Sequence, residues 1–496
     1  MTRIDANEIQ GILGRVRARY GGSESGSAGP AAPAASSPSS SPSPAGAGAS
    51  GAGASALGIF PTIDAAVDAA WHAFQQYRGM GLEDRHRIVA AIRQAMSERV
   101  ETMSRRAHEE TGLGRFEDKV LKNRLVIEKT PGPEDLEPRA ITGDRGMMLV
   151  EYAPFGVVAA ITPTTNPTAT IINNTIAVVS AGNGIVFNVH PNAKRVSVDT
   201  IRWINEAILA AGGPANLVTG IPEPTLDSAR ALMEHPRARI LLVTGGPGVV
   251  KAALATPKRA ITAGPGNPPV VVDETADLDL AGREIVRGAS FDNNVICTDE
   301  KEIFAVASIA DRLLESLGRQ GAYVVDEAQL RKLEKVIFDR LGEPNKPGKI
   351  NAKWIGKNAG MILREIGVDA GDDLRLVVAE VPAHHSLVWT EQMMPVMPLV
   401  RVGTVDLAID LAVRAEHGFG HTAAIYSKNI ETITKMARAI NVSIFTANGP
   451  TLCGLGAGGE GYTSFSIASP TGEGLTRPRT FSRERRLTVA DGLRIV

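Results

Sequence analysis

The sequence predicts an α/β fold of two doubly wound, Rossmann-type domains, and three observations carry that expectation. Short β-rich apolar runs alternate with helical stretches in two successive series, the pattern of parallel strands buried on both faces. At 496 residues the chain exceeds the roughly 250 to 300 residues that one hydrophobic core holds. In 239–255, RILLVTGGPGVVKAALA, a strand passes through glycines into a helix, a local form whose exposed N–H groups favour an anion.

Composition narrows the partners. Lys and Arg number 53 against 54 Asp and Glu, a net charge of -1, so no overall field draws the chain to nucleic acid or an anionic membrane. Two cysteines, with no Cys-x-x-Cys or His-x-x-x-His spacing, predict neither a disulfide framework nor a zinc site and fit a reducing cytosol. No apolar run reaches the roughly 18 residues of a bilayer span, and the N-terminus lacks the apolar core of a secretory signal.

Along the chain, residues 1–20 place Ile9, Ile12, Leu13, Val16 and Tyr20 at helical spacing, which predicts a short amphipathic helix. Residues 21–57, almost wholly Gly, Ser, Ala and Pro, bury too little apolar surface to offset chain entropy and predict a disordered tether. A helix so short gains order by docking on another protein. From Phe60, AAVDAAWHAFQQY and HRIVAAIRQAMSERVETMSRRAHEE repeat apolar positions every three or four residues, as surface helices do. The first strand series is GVVAAIT, GIVFNV, ANLVTG and RILLVT; the second is PPVVVD, EIFAVAS, AYVVD, LRLVVAE, PLVRV and TAAIYS, with helices between. Two domains with a cleft between them follow.

Three stretches can carry chemistry. The turn of Thr244, Gly245 and Gly246 before a helix suits a pyrophosphate, although it departs from G-x-G-x-x-G and serves equally as a plain tight turn. The loop of Thr162, Pro163, Thr164, Thr165, Asn166 and Pro167 follows a strand, beyond whose carboxyl end ligands of open sheets bind, and its side chains can donate to a developing oxyanion or cap the next helix. Cys297, in RGASFDNNVICTDEKE, is flanked by small and polar residues as an accessible nucleophile needs, where an apolar run alone would indicate a structural thiol. Cys453, in a glycine-rich loop, fits a structural part.

YAPFGVVAAITPTTNPTATIINN, AGNGIVFNVHPNAK, FDNNVICTDEKE, EQMMPVMPLVRV, AEHGFGHTAAIYSKN and SPTGEGLTRPRTF together resemble the aldehyde dehydrogenase superfamily, from about Leu57 to the C-terminus, and most of all its CoA-acylating members from bacterial microcompartments. The resemblance implies an NAD-binding domain over 58–134 and 152–264, a catalytic domain over 265–470, and an oligomerisation arm from 135–151 and 471–496, giving a homo-dimer or tetramer. It makes Cys297 the nucleophile, Asn166 (with Thr165 as the alternative) the oxyanion donor, and His421 of GFGHTA an aid to proton transfer. Thr162, Pro163, Thr244, Gly245, Gly246 and Glu391 would hold NAD, and His190 with Pro191 stands where hydrolytic relatives carry Lys-Pro, leaving open the choice between NAD and NADP.

Upstream of the cysteine, hydrolytic members place Glu-Leu-Gly-Gly, whereas this chain reads Ala263, Gly264, Pro265, Gly266, Asn267. Loss of that base removes a contribution of order 10² to 10⁴ to water attack, so the implied reaction is acyl transfer to coenzyme A from propionaldehyde or acetaldehyde. The extension 1–20 would then attach the enzyme to a shell or cargo protein inside a microcompartment of the bacterial cytoplasm. A hydrolytic enzyme with Glu274 as a substitute base, and a non-redox cysteine acyltransferase using Cys297 and His421, are the alternatives.

Overall fold

The computed structural model describes residues 57–496. The segment 1–20 and all of the tether before Leu57 lie outside the described residues.

Helix Ile63–Tyr77 opens the described chain, its first turn closed by Thr62, whose hydroxyl accepts the Ala65 N–H at 3.2 Å. Its apolar stripe of Ile63, Ala66, Val67, Ala70, Phe74 and Tyr77 is buried, and the Tyr77 hydroxyl donates to the Val179 carbonyl at 3.0 Å. Helix Phe116–Lys129 differs in kind, because Asp118, Lys119 and Lys122 share its buried stripe with Val126 and Ile127.

Five parallel strands form the first sheet in the spatial order Val218–Gly220, Gly184–Asn188, Val157–Ile161, Ala238–Thr244 and Arg259–Ala263. Val157–Ile161 and Gly184–Asn188 are buried throughout, as their uninterrupted apolar sequences require of strands covered on both faces. In chain order this is 3-2-1-4-5, so the winding reverses between Val157–Ile161 and Ala238–Thr244 and opens a crevice at their carboxyl ends. The loop 162–166 and the turn 244–246 leave those two strands, which is why they converge.

Seven parallel strands make the second sheet, ordered Ala322–Val325, Leu376–Glu380, Val396–Val402, Glu302–Val306, Pro269–Val272, Thr422–Tyr426 and Ile444–Ala447. Arg259–Ala263 and Ile444–Ala447 escaped the sequence pattern, being short edge strands with little apolar contrast. Helix Pro167–Ser180 is buried on every face, and its amides tie in a later segment: Asn173 Oδ1 accepts the Phe465 N–H at 3.1 Å, and Asn174 Oδ1 accepts the Ser466 hydroxyl at 2.9 Å. Among the described residues no helix is long and apolar enough to cross a membrane.

Arg139–Gly143, Gly146–Pro154 and Ser482–Ala490 form a separate antiparallel sheet, the last two strands pairing from Ser482 against Pro154 to Ala490 against Gly146. Gly146 has φ +111°, and a Cβ there would lie 2.0 Å from the Val489 carbonyl oxygen. Gly146→Ala should therefore loosen this sheet alone: amide hydrogen exchange across 482–490 should accelerate while that across 157–161 stays unchanged.

Candidate active site

At the crevice lies a cavity of about 750 Å³. Cys297, Asn166, Thr162, Pro163, His190, Thr244, Gly245, Gly246 and Glu391 all line it, so nine of the ten residues singled out in the sequence meet on one surface. His421 is not among the lining residues. Glu274 is exposed and does not line the cavity either.

The segment that carries Cys297 bends through three consecutive left-handed residues, Asp292, Asn293 and Asn294, with φ of 46°, 56° and 63°. Such backbone costs roughly 1 to 2 kcal/mol per residue for most side chains, and Asp and Asn are the ones that tolerate it. Each is also locked by its side chain. Asp292 Oδ2 accepts from Lys119 Nζ at 3.0 Å and from Lys122 Nζ, and its Oδ1 accepts the Arg115 N–H at 2.8 Å. The Asn293 amide donates to the Gly356 carbonyl and to Asn358 Oδ1, and the Asn294 amide donates to the carbonyls of Ala289 and Glu300. A turn follows, closed by the Asp299 N–H on the Ile296 carbonyl at 3.1 Å, with Cys297 at its second position and its N–H left out of that bond.

The opposite wall is equally fixed. Lys122 Nζ donates to Asn166 Oδ1 at 2.7 Å and to the Thr165 carbonyl at 3.3 Å, and Asn166 Nδ2 donates to Thr165 Oγ1 at 3.2 Å. Gly266 separates Cys297 from His421: a Cβ there would stand 2.5 Å from the Cys297 carbonyl oxygen and 3.2 Å from His421 Cγ. The Gly266 N–H donates to Glu391 Oε1 at 3.4 Å, and the Asn267 amide donates inward to Glu302, Val388 and Ala415.

Burial governs the charges. It pushes the half-buried Cys297 thiol up to about 12, with the Glu391 carboxylate adding to the effect and Lys301 opposing it. Burial also raises Glu391, and it lowers His421 to about 4, so that imidazole is neutral at pH 7. His421 Nδ1 lies 2.8 Å from Thr422 Oγ1, and Nε2 has no hydrogen-bond partner among the described residues. For Asp292 burial opposes ionisation, but Lys119 and Lys122 outweigh it and hold the carboxyl below the ordinary range.

A cysteine, a glycine turn and an amide around one cleft have known counterparts. The aldehyde dehydrogenase family model matches residues 56–328 and 375–467. The chain belongs to the aldehyde dehydrogenase family. It is 47% identical over 441 residues to acetaldehyde dehydrogenase (acetylating) EutE of Salmonella typhimurium, covering 89% of this chain and 94% of that protein. The crystal structure of Rhodopseudomonas palustris propionaldehyde dehydrogenase with bound CoA and an acylated cysteine is 49% identical, covers 88% of this chain and 98% of that one, and gives a TM-score of 0.84. Propionaldehyde dehydrogenase from the Clostridium phytofermentans fucose utilisation bacterial microcompartment is 44% identical, covers 89% of this chain and 100% of that one, and gives a TM-score of 0.85.

In this aldehyde dehydrogenase a second cavity, of about 640 Å³, shares Ile296 and Phe465 with the first, so the turn of Cys297 is flanked from two sides. Sequence reasoning missed Lys122, Asp292 and Leu226, the last an apolar side chain 88% exposed at the cavity rim, and it named Gly266 without its place between Cys297 and His421. The one visible signal was the FDNN run, whose residue types suit left-handed backbone.

A thiol at about 12 sets a pH profile. Alkylation of Cys297 by iodoacetamide, followed on its peptide by mass spectrometry, should rise about tenfold per pH unit from about pH 7 to 10 without levelling, because the thiolate fraction grows by that factor below the pKa. A plateau near pH 8 would mean an activated thiol in the free chain.

Proposed function

We propose that this enzyme oxidises a short aliphatic aldehyde, propionaldehyde or acetaldehyde, with NAD+ and passes the acyl group through Cys297 to coenzyme A. The observation that carries the reading is the composition of one cavity: Cys297 and the Thr244–Gly246 turn line it, and Glu391 is its only carboxylate among the described residues. The relatives whose names specify acetylation, or whose structure holds CoA beside an acylated cysteine, support the same chemistry.

The Cys297 thiol gives up its proton, the one proton released overall, as its sulfur bonds the aldehyde carbon, and the carbonyl electron pair moves onto oxygen. That oxygen would meet the Cys297 N–H and Asn166 Nδ2, donors suited to the charge that develops there. NAD+, when bound, supplies the two-electron acceptor that converts this adduct to a thioester. The CoA sulfur then bonds the acyl carbon as the bond to Cys297 breaks, and the CoA thiol proton replaces the acyl group on Cys297. Aldehyde, CoA thiol and NAD+ together give acyl-CoA, NADH and one proton. His421, neutral and beside the loop of Cys297, is proposed to assist the thiol proton transfer.

The turn fits a dinucleotide. A Cβ on Gly246 or Gly248 would meet nothing within 4 Å, so their backbone stands open to the cavity at the start of helix Pro247–Leu254. Leu226, His190, Glu391, Thr162 and Pro163 all line this cavity; in the proposed complex Leu226 would meet the adenine and His190 and Glu391 the riboses. CoA carries the same adenosine diphosphate unit, so one turn can serve both ligands in succession. We assign aldehyde approach to the second cavity.

We further propose residence in a bacterial microcompartment, with segment 1–20 docking on a shell or cargo protein, and a homo-dimer or tetramer built through the antiparallel sheet, which exposes Ile141 and Leu487. Two experiments test the reading. NADH formation from propionaldehyde should depend on CoA beyond the first turnover and vanish in Cys297→Ala, and with CoA omitted intact mass should show one propionyl group on Cys297; sustained turnover to free acid would instead mark a hydrolytic enzyme. Deleting residues 1–20 should leave turnover intact while abolishing packaging, and equal packaging of the truncated chain would refute the docking role.

A further inference from the structure

We infer that Lys122 is a positioning residue for the oxyanion site: it fixes and polarises the Asn166 amide so that Nδ2 faces the reacting oxygen. The inference rests on the reading of Asn166 as an oxyanion donor and adds the group that makes it one.

A lysine ammonium has three donors and no acceptor, so the amide atom it meets at 2.7 Å is oxygen, and Nδ2 is turned the other way. All three donors are used, on Asn166 Oδ1, the Thr165 carbonyl and Asp292 Oδ2. The side chain is only 2% exposed, and helix Phe116–Lys129 sets its position. Asn166 Nδ2 spends one hydrogen on Thr165 Oγ1 at 3.2 Å, which leaves the second for the cavity that Asn166 shares with Cys297. A charge-assisted bond at Oδ1 draws electron density from the amide nitrogen and strengthens the remaining N–H as a donor. Without it the amide can rotate and present Oδ1, an acceptor, to a forming oxyanion. Lys122 also joins the two walls of the site, since Asp292 belongs to the left-handed segment that carries Cys297. Lys119 meets the same Asp292 oxygen at 3.0 Å, so replacing Lys122 still leaves that segment a neighbouring cation.

The test is a double-mutant cycle between Lys122→Met and Asn166→Ala, read by the Kd of a short trifluoromethyl ketone. The thiolate of Cys297 adds to that ketone with its carbonyl pair moving to oxygen, and the adduct has no hydrogen to transfer, so the measurement needs no NAD+. Kd comes from protection of Cys297 against iodoacetamide. Asn166→Ala should weaken the ketone about 100-fold, the scale of losing one oxyanion donor. Lys122→Met should weaken it about tenfold in the parent chain, as for loss of a charged hydrogen bond, and less than about twofold once Asn166 is Ala. The KM for propionaldehyde should stay within about twofold in Lys122→Met, as expected when ground-state binding is spared. If Asn166→Ala leaves the ketone affinity unchanged, the oxyanion reading itself fails. If Asn166→Ala weakens binding but the Lys122→Met loss persists in its background, that reading stands and the positioning role is overturned. Should Lys122→Met not fold, Lys122→Gln, which keeps a neutral donor, replaces it in the cycle: a loss that disappears in the Asn166→Ala background supports the positioning role, and one that persists there overturns it.

Discussion

The Asp292 carboxylate, fully buried and met by two lysine ammonium groups and a backbone N–H, is the interaction on which the site depends. Removing a charge from water costs several kcal/mol even after relaxation, and only good geometry with further hydrogen bonds returns it. Here two segments far apart in sequence supply the geometry: Arg115 with the helix it opens, which bears Lys119 and Lys122, and the left-handed run that begins at Asp292. Its backbone N–H donates to Asp118 at 2.9 Å, and Asp118 in turn holds Arg375 at 2.6 Å. The ionic cluster therefore positions more than it stabilises, forcing the segment before Cys297 into a bend that its neighbours alone would not keep.

The nucleophile proposed here, Cys297, must be accessible to substrate yet inert between turnovers, and its surroundings favour inertness in the free chain. Burial and the Glu391 carboxylate both oppose the thiolate, and Lys301 does not offset them. Lys301 is engaged elsewhere, with the carbonyls of Asn294 and Ile296 and with the Asn294 side chain, so it pins the turn more than it ionises the thiol. A thiol that stays protonated resists oxidation and disulfide exchange. Reactivity then depends on what enters the cavity, because positive charge close to the sulfur counts for more in a desolvated site than in water.

The sequence displayed the sheets clearly and the ionic cluster hardly at all. Val157–Ile161 is an unbroken apolar run, Gly184–Asn188 and Ala238–Thr244 carry apolar cores in Ile185–Phe187 and Ile240–Val243, and burial on both faces leaves that signature in composition. Helix Phe116–Lys129 reads FEDKVLKNRLVIEK, in which charged residues ordinarily mark the solvent face. Lys119 and Lys122 are buried instead because their partner Asp292 lies more than 160 residues away, a distance that periodicity cannot see. His421 was legible as a histidine among glycines, but its burial beneath Gly266 was not, since that depends on a missing Cβ between two loops. The left-handed run lies between these cases: Asp and Asn types were visible, while the conformation arises from the hydrogen bonds that hold it.

The lifetime of the acyl group proposed on Cys297 follows from the wall beside it. A water molecule attacks a thioester effectively when a base takes its proton, a contribution of order 10² to 10⁴. Along 264–267 the chain presents Gly264, Pro265 and Gly266, none of which can accept a proton, and the Asn267 amide is turned inward onto three acceptors. Glu391 does line the cavity, but it accepts the Gly266 N–H, and its raised pKa reflects a carboxylate poorly solvated where it stands. A thiol gives up its proton far more readily than water, so it suffers less from the lack of a base. The glycine and proline that bring the loop close to Cys297 thus also leave the acyl group to the nucleophile that needs least help.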